Sequence, residues 1–105
     1  MKKVIRDGKV AVIYSPGFGA GWYTWNQDHP KIIFHPKLVE MIETNQTDKI
    51  TEEWMKEELG IDDIYIGDAD TLTIEWLNEG VHFRIEEYDG SESVIDLGKI
   101  DFFIA

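Results

Sequence analysis

Apolar and polar residues alternate towards both ends of this chain and take helical spacing in its middle. Val4 and Ile5 precede Asp7-Gly8, and the β-prone run Lys9–Tyr14 follows. Asp-Gly between two such runs predicts a hairpin with a two-residue type I′ turn, which needs φ > 0 at both centres. Residues 31–34, Lys-Ile-Ile-Phe, predict a short apolar strand. Pro36 then opens a helix over residues 37–44, because proline's missing N–H would be unpaired at the first helical position anyway. Leu38, Met41 and Ile42 supply the buried stripe at 3.6-residue spacing, and Asn45 ends the helix. A second helix is predicted over Glu52–Leu59. Thr51 is its N-cap, and Glu52 and Glu53 sit at the positive end of its dipole. Ile50 and Met55 stand where a hydrophobic staple forms, and Gly60 stands at C′. Trp54, Met55 and Leu59 face inward.

The last third of the chain reads as sheet. Residues 64–66 predict a short strand, and residues 71–77 alternate cleanly. Pairing Trp76 with Phe83 across Asn78-Glu79-Gly80, and Ile85 with Ile95 across Asp89-Gly90-Ser91, gives one consistent register. It places Leu72, Ile74, Trp76, Phe83, Ile85, Ile95 and Leu97 on one face. The same register sets Glu75 beside Arg84, and Arg84 beside Asp96, on the other face. Residues 100–104 predict a final apolar strand. The expected class is α+β: a mainly antiparallel sheet, built of hairpins and a C-terminal meander, with two short helices mid-chain. One domain over residues 1–105 is expected.

Composition narrows the function classes. With 43% apolar residues and four tryptophans, the chain can bury a real core. The net charge of −11, from 21 acidic and 10 basic residues, repels nucleic acid and anionic membranes. Neither is expected as a partner. Such a surface suits solvation, a basic partner, or a decoy role in a nucleic-acid-binding groove. The absence of cysteine removes disulfides, thiolate catalysis and Cys-based zinc sites. The basic start is broken at once by Arg6-Asp7-Gly8 and does not read as a signal peptide, so a cytoplasmic location is expected.

Candidate chemistry concentrates in residues 15–26, S-P-G-F-G-A-G-W-Y-T-W-N. Gly17, Phe18, Gly19, Gly21, Trp22, Tyr23, Trp25 and Asn26 are its candidate ligand- or partner-binding residues. The G-x-G-x-G spacing is neither a dinucleotide fingerprint nor a phosphate loop. Two readings stay open. Phe18 and Trp22 or Trp25 plug one end of the core. Alternatively, the rings stack on a ligand while glycine amides hold its polar end, with Arg6, Lys9 or Lys31 adding positive charge. His29 and His35, with Asp28 nearby, share one face of a strand but lie far apart. Coordination by this pair alone would need a bend, so two surface histidines are the expected reading; His82 sits on a polar face. Asp62, Asp63, Asp68 and Asp70 lack the glycine and distal glutamate of a calcium loop and read as a solvated rim, with weak divalent binding left open. Ser15 lies outside any G-x-S-x-G turn. No catalytic residue, metal or cofactor is assigned, and a non-enzymatic protein is expected.

Two segments carry a resemblance. They are residues 5–10 running into S-P-G-F-G-A-G-W-Y-T-W, and T-I-E-W-L-N-E-G-V-H-F-R-I-E-E-Y-D-G-S-E. Together they resemble a family of small proteins encoded by bacteriophages and prophages. The resemblance implies an accessory protein that binds a small, nucleotide-type ligand to counter host defence in the host cytoplasm. It also suits an acidic inhibitor or adaptor docking on a basic surface of a host protein. A third fit is a structural component that self-assembles into a homo-oligomer.

Overall fold

The computed structural model describes residues 2–99, and the strand expected at residues 100–104 lies outside them. Strands β1 (Ile5–Arg6) and β2 (Lys9–Tyr14) form the predicted hairpin, with Ile5 opposite Val10. Its turn residues take the left-handed conformation, Asp7 at φ 52° and Gly8 at φ 74°. On the other side of β2 lies β3 (Thr73–Asn78), antiparallel, with Lys9 opposite Asn78 and Tyr14 opposite Thr73. β2 is therefore the central strand. Val10, Ala11, Val12 and Ile13 are all buried in succession, so both of its faces are covered.

Helix α1 (Pro36–Glu43) begins at Pro36 as predicted, and Asn45 follows its end at φ 57°. Its buried residues are Leu38 and Val39, while Met41 and Ile42 are half-buried. Helix α2 (Glu52–Leu59) carries the predicted caps. The Trp54 N–H donates to Thr51 Oγ1 at 3.1 Å, and Gly60 has φ 68°. Ile50 and Met55 are both buried beneath this first turn.

Strands β4 (Phe83–Tyr88) and β5 (Ser91–Asp96) form a second, two-stranded antiparallel sheet. The fold is thus α+β, with two helices and five strands among the described residues. Several expected details change. β3 does not pair with β4; it pairs with β2, and β4 turns to β5 instead. The chain then leaves the sheet in a turn, where the Glu79 N–H donates to the Gly8 carbonyl at 2.8 Å.

The β4–β5 register also differs by one residue. Its turn has two residues, Asp89 at φ 50° and Gly90 at φ 82°, so Ser91 pairs with Tyr88. Ile85 therefore lies opposite Val94, and Arg84 opposite Ile95. Because side chains alternate between faces, this shift moves Ile95 away from Phe83 and Ile85 and brings Glu92 onto their face. Arg84 accordingly pairs with Glu86, at 2.8 Å, rather than with Glu75 or Asp96.

Two short strands are absent as such. Residues 31–33 belong to a 3-10 turn, Pro30–Ile33, which Phe34 follows as its C-cap and which the fixed φ of Pro30 favours. Ile32 and Ile33 are buried nonetheless. Residues 64–66 form no strand, and Ala69–Thr71 makes a 3-10 turn before β3 begins. The core gathers Trp22, Ile13, Ile32, Leu38 and Met55, together with Ile61, Ile64 and Leu77. No helix among the described residues is long and apolar enough to cross a membrane.

Candidate functional site

The β4–β5 hairpin is clasped by the aromatic-glycine loop through one carboxylate. Glu92 is only 1% exposed. Its Oε1 accepts the Ser15 N–H at 2.9 Å. Its Oε2 accepts the Trp22 N–H at 3.1 Å, the Thr24 N–H at 2.8 Å and the Thr24 hydroxyl at 2.7 Å. The Glu92 N–H in turn donates to the Ser15 carbonyl at 2.7 Å. A buried carboxylate is tolerable only when hydrogen bonds replace its hydration, and four donors do so here. The loop backbone joins the hairpin turn as well. Gly19 and Gly21 donate to the carbonyls of Asp89 and Gly90 at 2.6 and 2.8 Å. A Cβ added at Gly90 would lie 2.7 Å from the Gly19 backbone, so the approach requires glycine.

The eight candidate residues of the loop separate accordingly. The amides of Gly19 and Gly21, expected to hold a ligand's polar end, are already bonded to the hairpin. Gly17 packs on Thr71, where an added Cβ would meet its methyl at 2.6 Å. Trp22 is core, 1% exposed, with its indole N–H donating to the Ile32 carbonyl at 3.1 Å. Tyr23 is half-buried against that core. Asn26 is buried and ties two segments together. Its Nδ2 donates to the carbonyls of Trp22 and Tyr65 at 2.8 and 2.9 Å, and its Oδ1 accepts the Tyr65 N–H at 2.7 Å. This side chain supplies the pairing that a strand at residues 64–66 would have needed. Two rings remain outward: Phe18 at 78% exposure and Trp25 at 42%.

Trp25 leans on Tyr65, itself exposed, with ring centroids 4.9 Å apart and planes tilted by 48°. The pair stands in an open cleft of about 570 Å³ whose lining includes Asp28, His29, Glu52 and Asp63. Three elements build it: the segment after Trp22, the N-terminus of α2, and the turn at Asp63, which has φ 55°. The Asn26 bonds hold the Trp25 and Tyr65 segments together, so the exposed pair rests on a buried support. Phe18 lies apart, beside Tyr88 and Ile95 along the β4–β5 hairpin.

The remaining candidates disperse. Arg6 forks onto Glu43 at 2.6 and 2.8 Å, which raises the Arg6 pKa and lowers that of Glu43. Its guanidinium also lies over the Trp76 ring, 5.3 Å from the centroid, so it is not aimed at the loop. Lys9 begins β2 opposite Asn78. Lys31 reaches the Leu59 carbonyl at 3.4 Å. His29 lines the cleft, while His35 caps α1, its Nδ1 accepting the Lys37 N–H at 3.2 Å. Asp68 caps the 3-10 turn before β3, and Asp70 accepts the Thr47 hydroxyl. Among the described residues, no group of three or more His, Asp or Glu side chains is placed to hold a metal ion.

The sequence reading missed Glu92 and Tyr65. Glu92 was legible in principle, since a two-residue Asp89-Gly90 turn places it on the face of Ile85. Tyr65 carried no local signal, because only the Asn26 bridge brings it to Trp25. Comparison with known proteins finds no similar family model, curated protein or solved structure.

Proposed function

We propose that this is a binding protein whose Trp25–Tyr65 cleft docks on a basic surface of a partner protein. One observation carries the reading: two exposed rings share a cleft with the carboxylates of Asp28, Glu52 and Asp63. Ring faces and carboxylates both attract an ammonium or guanidinium, and a cation–π contact contributes about 0.5–2 kcal/mol according to its desolvation. Small-ligand pockets are mostly apolar and nearly enclosing. This cleft is open and polar, which suits an arginine or lysine presented by a protein. The charge of −11 adds long-range attraction to such a partner. The resemblance to phage-encoded proteins supplies the context of a host target and an inhibitor or adaptor role in the host cytoplasm.

The test is a fluorescence titration with an arginine-rich peptide at low and high salt. Saturable quenching of Trp25 that weakens with salt is expected, and calorimetry should show peptide binding lost in Trp25→Ala. Equal peptide binding by the wild type and Trp25→Ala refutes the cleft. A parallel titration with a nucleotide tests the small-ligand reading, in which Trp25 and Tyr65 stack on a base.

A further inference from the structure

Only ten of the 105 residues are lysine or arginine, yet the side chains of three of them line one cavity. Lys2, Lys31 and Lys37 line a space of about 410 Å³ together with His35 and Pro36. It lies between the segment before β1, the 3-10 turn at Pro30–Ile33 and the start of α1. The walls are mostly carbon, as expected where lysine stems cover apolar surface and keep their ammonium groups at the rim.

Little neutralises that rim. Lys37 meets Glu58 at 3.3 Å, with both side chains about half exposed, a weak arrangement. Among the described residues, Lys31 has a carbonyl partner only and Lys2 forms no ion pair. His35 registers the crowding: burial first, then Lys31 and Lys37, hold its imidazole pKa below the ordinary value. The α1 backbone contributes little here, because Pro36 has no N–H and that of Lys37 is bonded to His35. The ammonium groups are the binding groups on offer, those of Lys31 and Lys37 by giving up their contacts with the Leu59 carbonyl and Glu58.

We propose that the cavity between Lys2, Lys31 and Lys37 binds an organic phosphate monoester of aryl or short-alkyl type. The apolar body lies on the carbon walls, and the dianionic phosphate sits among the three ammoniums. A dianion matches converging cations better than a monoanion does. The residues are separate from those of the Trp25–Tyr65 cleft, so the two readings stand or fall independently.

Phenyl phosphate is the probe, and the ring proton signal of His35 in the full chain is the reporter. A saturable shift with a dissociation constant of about 1 mM or tighter is expected. Lys31→Gln with Lys37→Gln weakens binding about tenfold, and inorganic phosphate binds several-fold more weakly than phenyl phosphate. Circular dichroism checks the fold of the double variant. Should it unfold, Lys2→Gln, outside every helix and strand, replaces it, with about a threefold loss expected. The proposal is overturned by the absence of saturation at about ten times the expected constant, or by unchanged affinity in the folded lysine variants. Inorganic phosphate binding as tightly as phenyl phosphate also overturns it, since the carbon walls would then play no part.

Discussion

Trp22 and Trp25 lie three residues apart in one loop and have opposite fates. Trp22 is sealed in the core with its N–H bonded to the Ile32 carbonyl, while Trp25 stands 42% exposed against Tyr65. The carboxylate of Glu92 draws in the backbone at Trp22 and Thr24. The Asn26 amide then anchors the chain on the far side of Trp25. What lies between these anchors is pushed outward. One aromatic cluster in the sequence therefore serves two purposes, and the hydrogen bonds of its polar neighbours decide which ring serves which.

This division can be broken or sharpened by substitution. Trp22→Ala empties a buried indole site and should destabilise by about 3–5 kcal/mol, read from the urea midpoint. A smaller loss than for an exposed ring would abolish the distinction. Glu92→Gln comes next, at about 2–3 kcal/mol, because one oxygen becomes an N–H₂ facing donors. If this variant keeps its stability while losing peptide quenching at Trp25, the clasp belongs to binding rather than to the fold. Gly90→Ala should cost about 1–2 kcal/mol, since the new methyl meets the Gly19 backbone and φ 82° disfavours it. Trp25→Ala should stay within about 1 kcal/mol of the wild type in stability while weakening the peptide at least about tenfold.

The smallest effect concerns pH. The folded imidazole of His35 is held below its ordinary value of 6.5, so the unfolded chain takes up that proton first as pH falls. This contribution to stability is complete above that value and declines as pH drops towards the folded pKa. Comparison of unfolding midpoints for wild type and His35→Gln at both ends of that window isolates it. A decline equal in both proteins assigns the pH dependence to other groups.

Both helices were readable because their signals are local. Pro36, Thr51, Asn45 and Gly60 act on neighbours within one turn. The first hairpin was readable for the same reason, through Asp7-Gly8. Errors arose where partners are distant. β3 pairs with β2, about sixty residues earlier, and not with β4 across the Asn78-Glu79-Gly80 turn, a long-range pairing that no local signal encodes. Hydrophobic alternation favoured facing Ile85 with Ile95, but the tighter Asp89-Gly90 turn prevailed and placed a glutamate inward. The glycines and rings of residues 15–26 are visible in the sequence as one cluster. Its separation into core and surface depended on Glu92, about seventy residues downstream of Trp22.

That separation bears on the order in which the molecule takes shape. The bond between Ser15 and Glu92 closes a span of 77 residues. Closing so long a span has a large entropic cost, and such contacts form late. During synthesis the segment around Trp22 therefore waits, with its amides hydrated, until the β4–β5 hairpin has left the ribosome. Completion of the amino-terminal loop is in this sense a checkpoint on the carboxy-terminal third. A chain stopped before residue 92 lacks the carboxylate that the Ser15, Trp22 and Thr24 amides bond to.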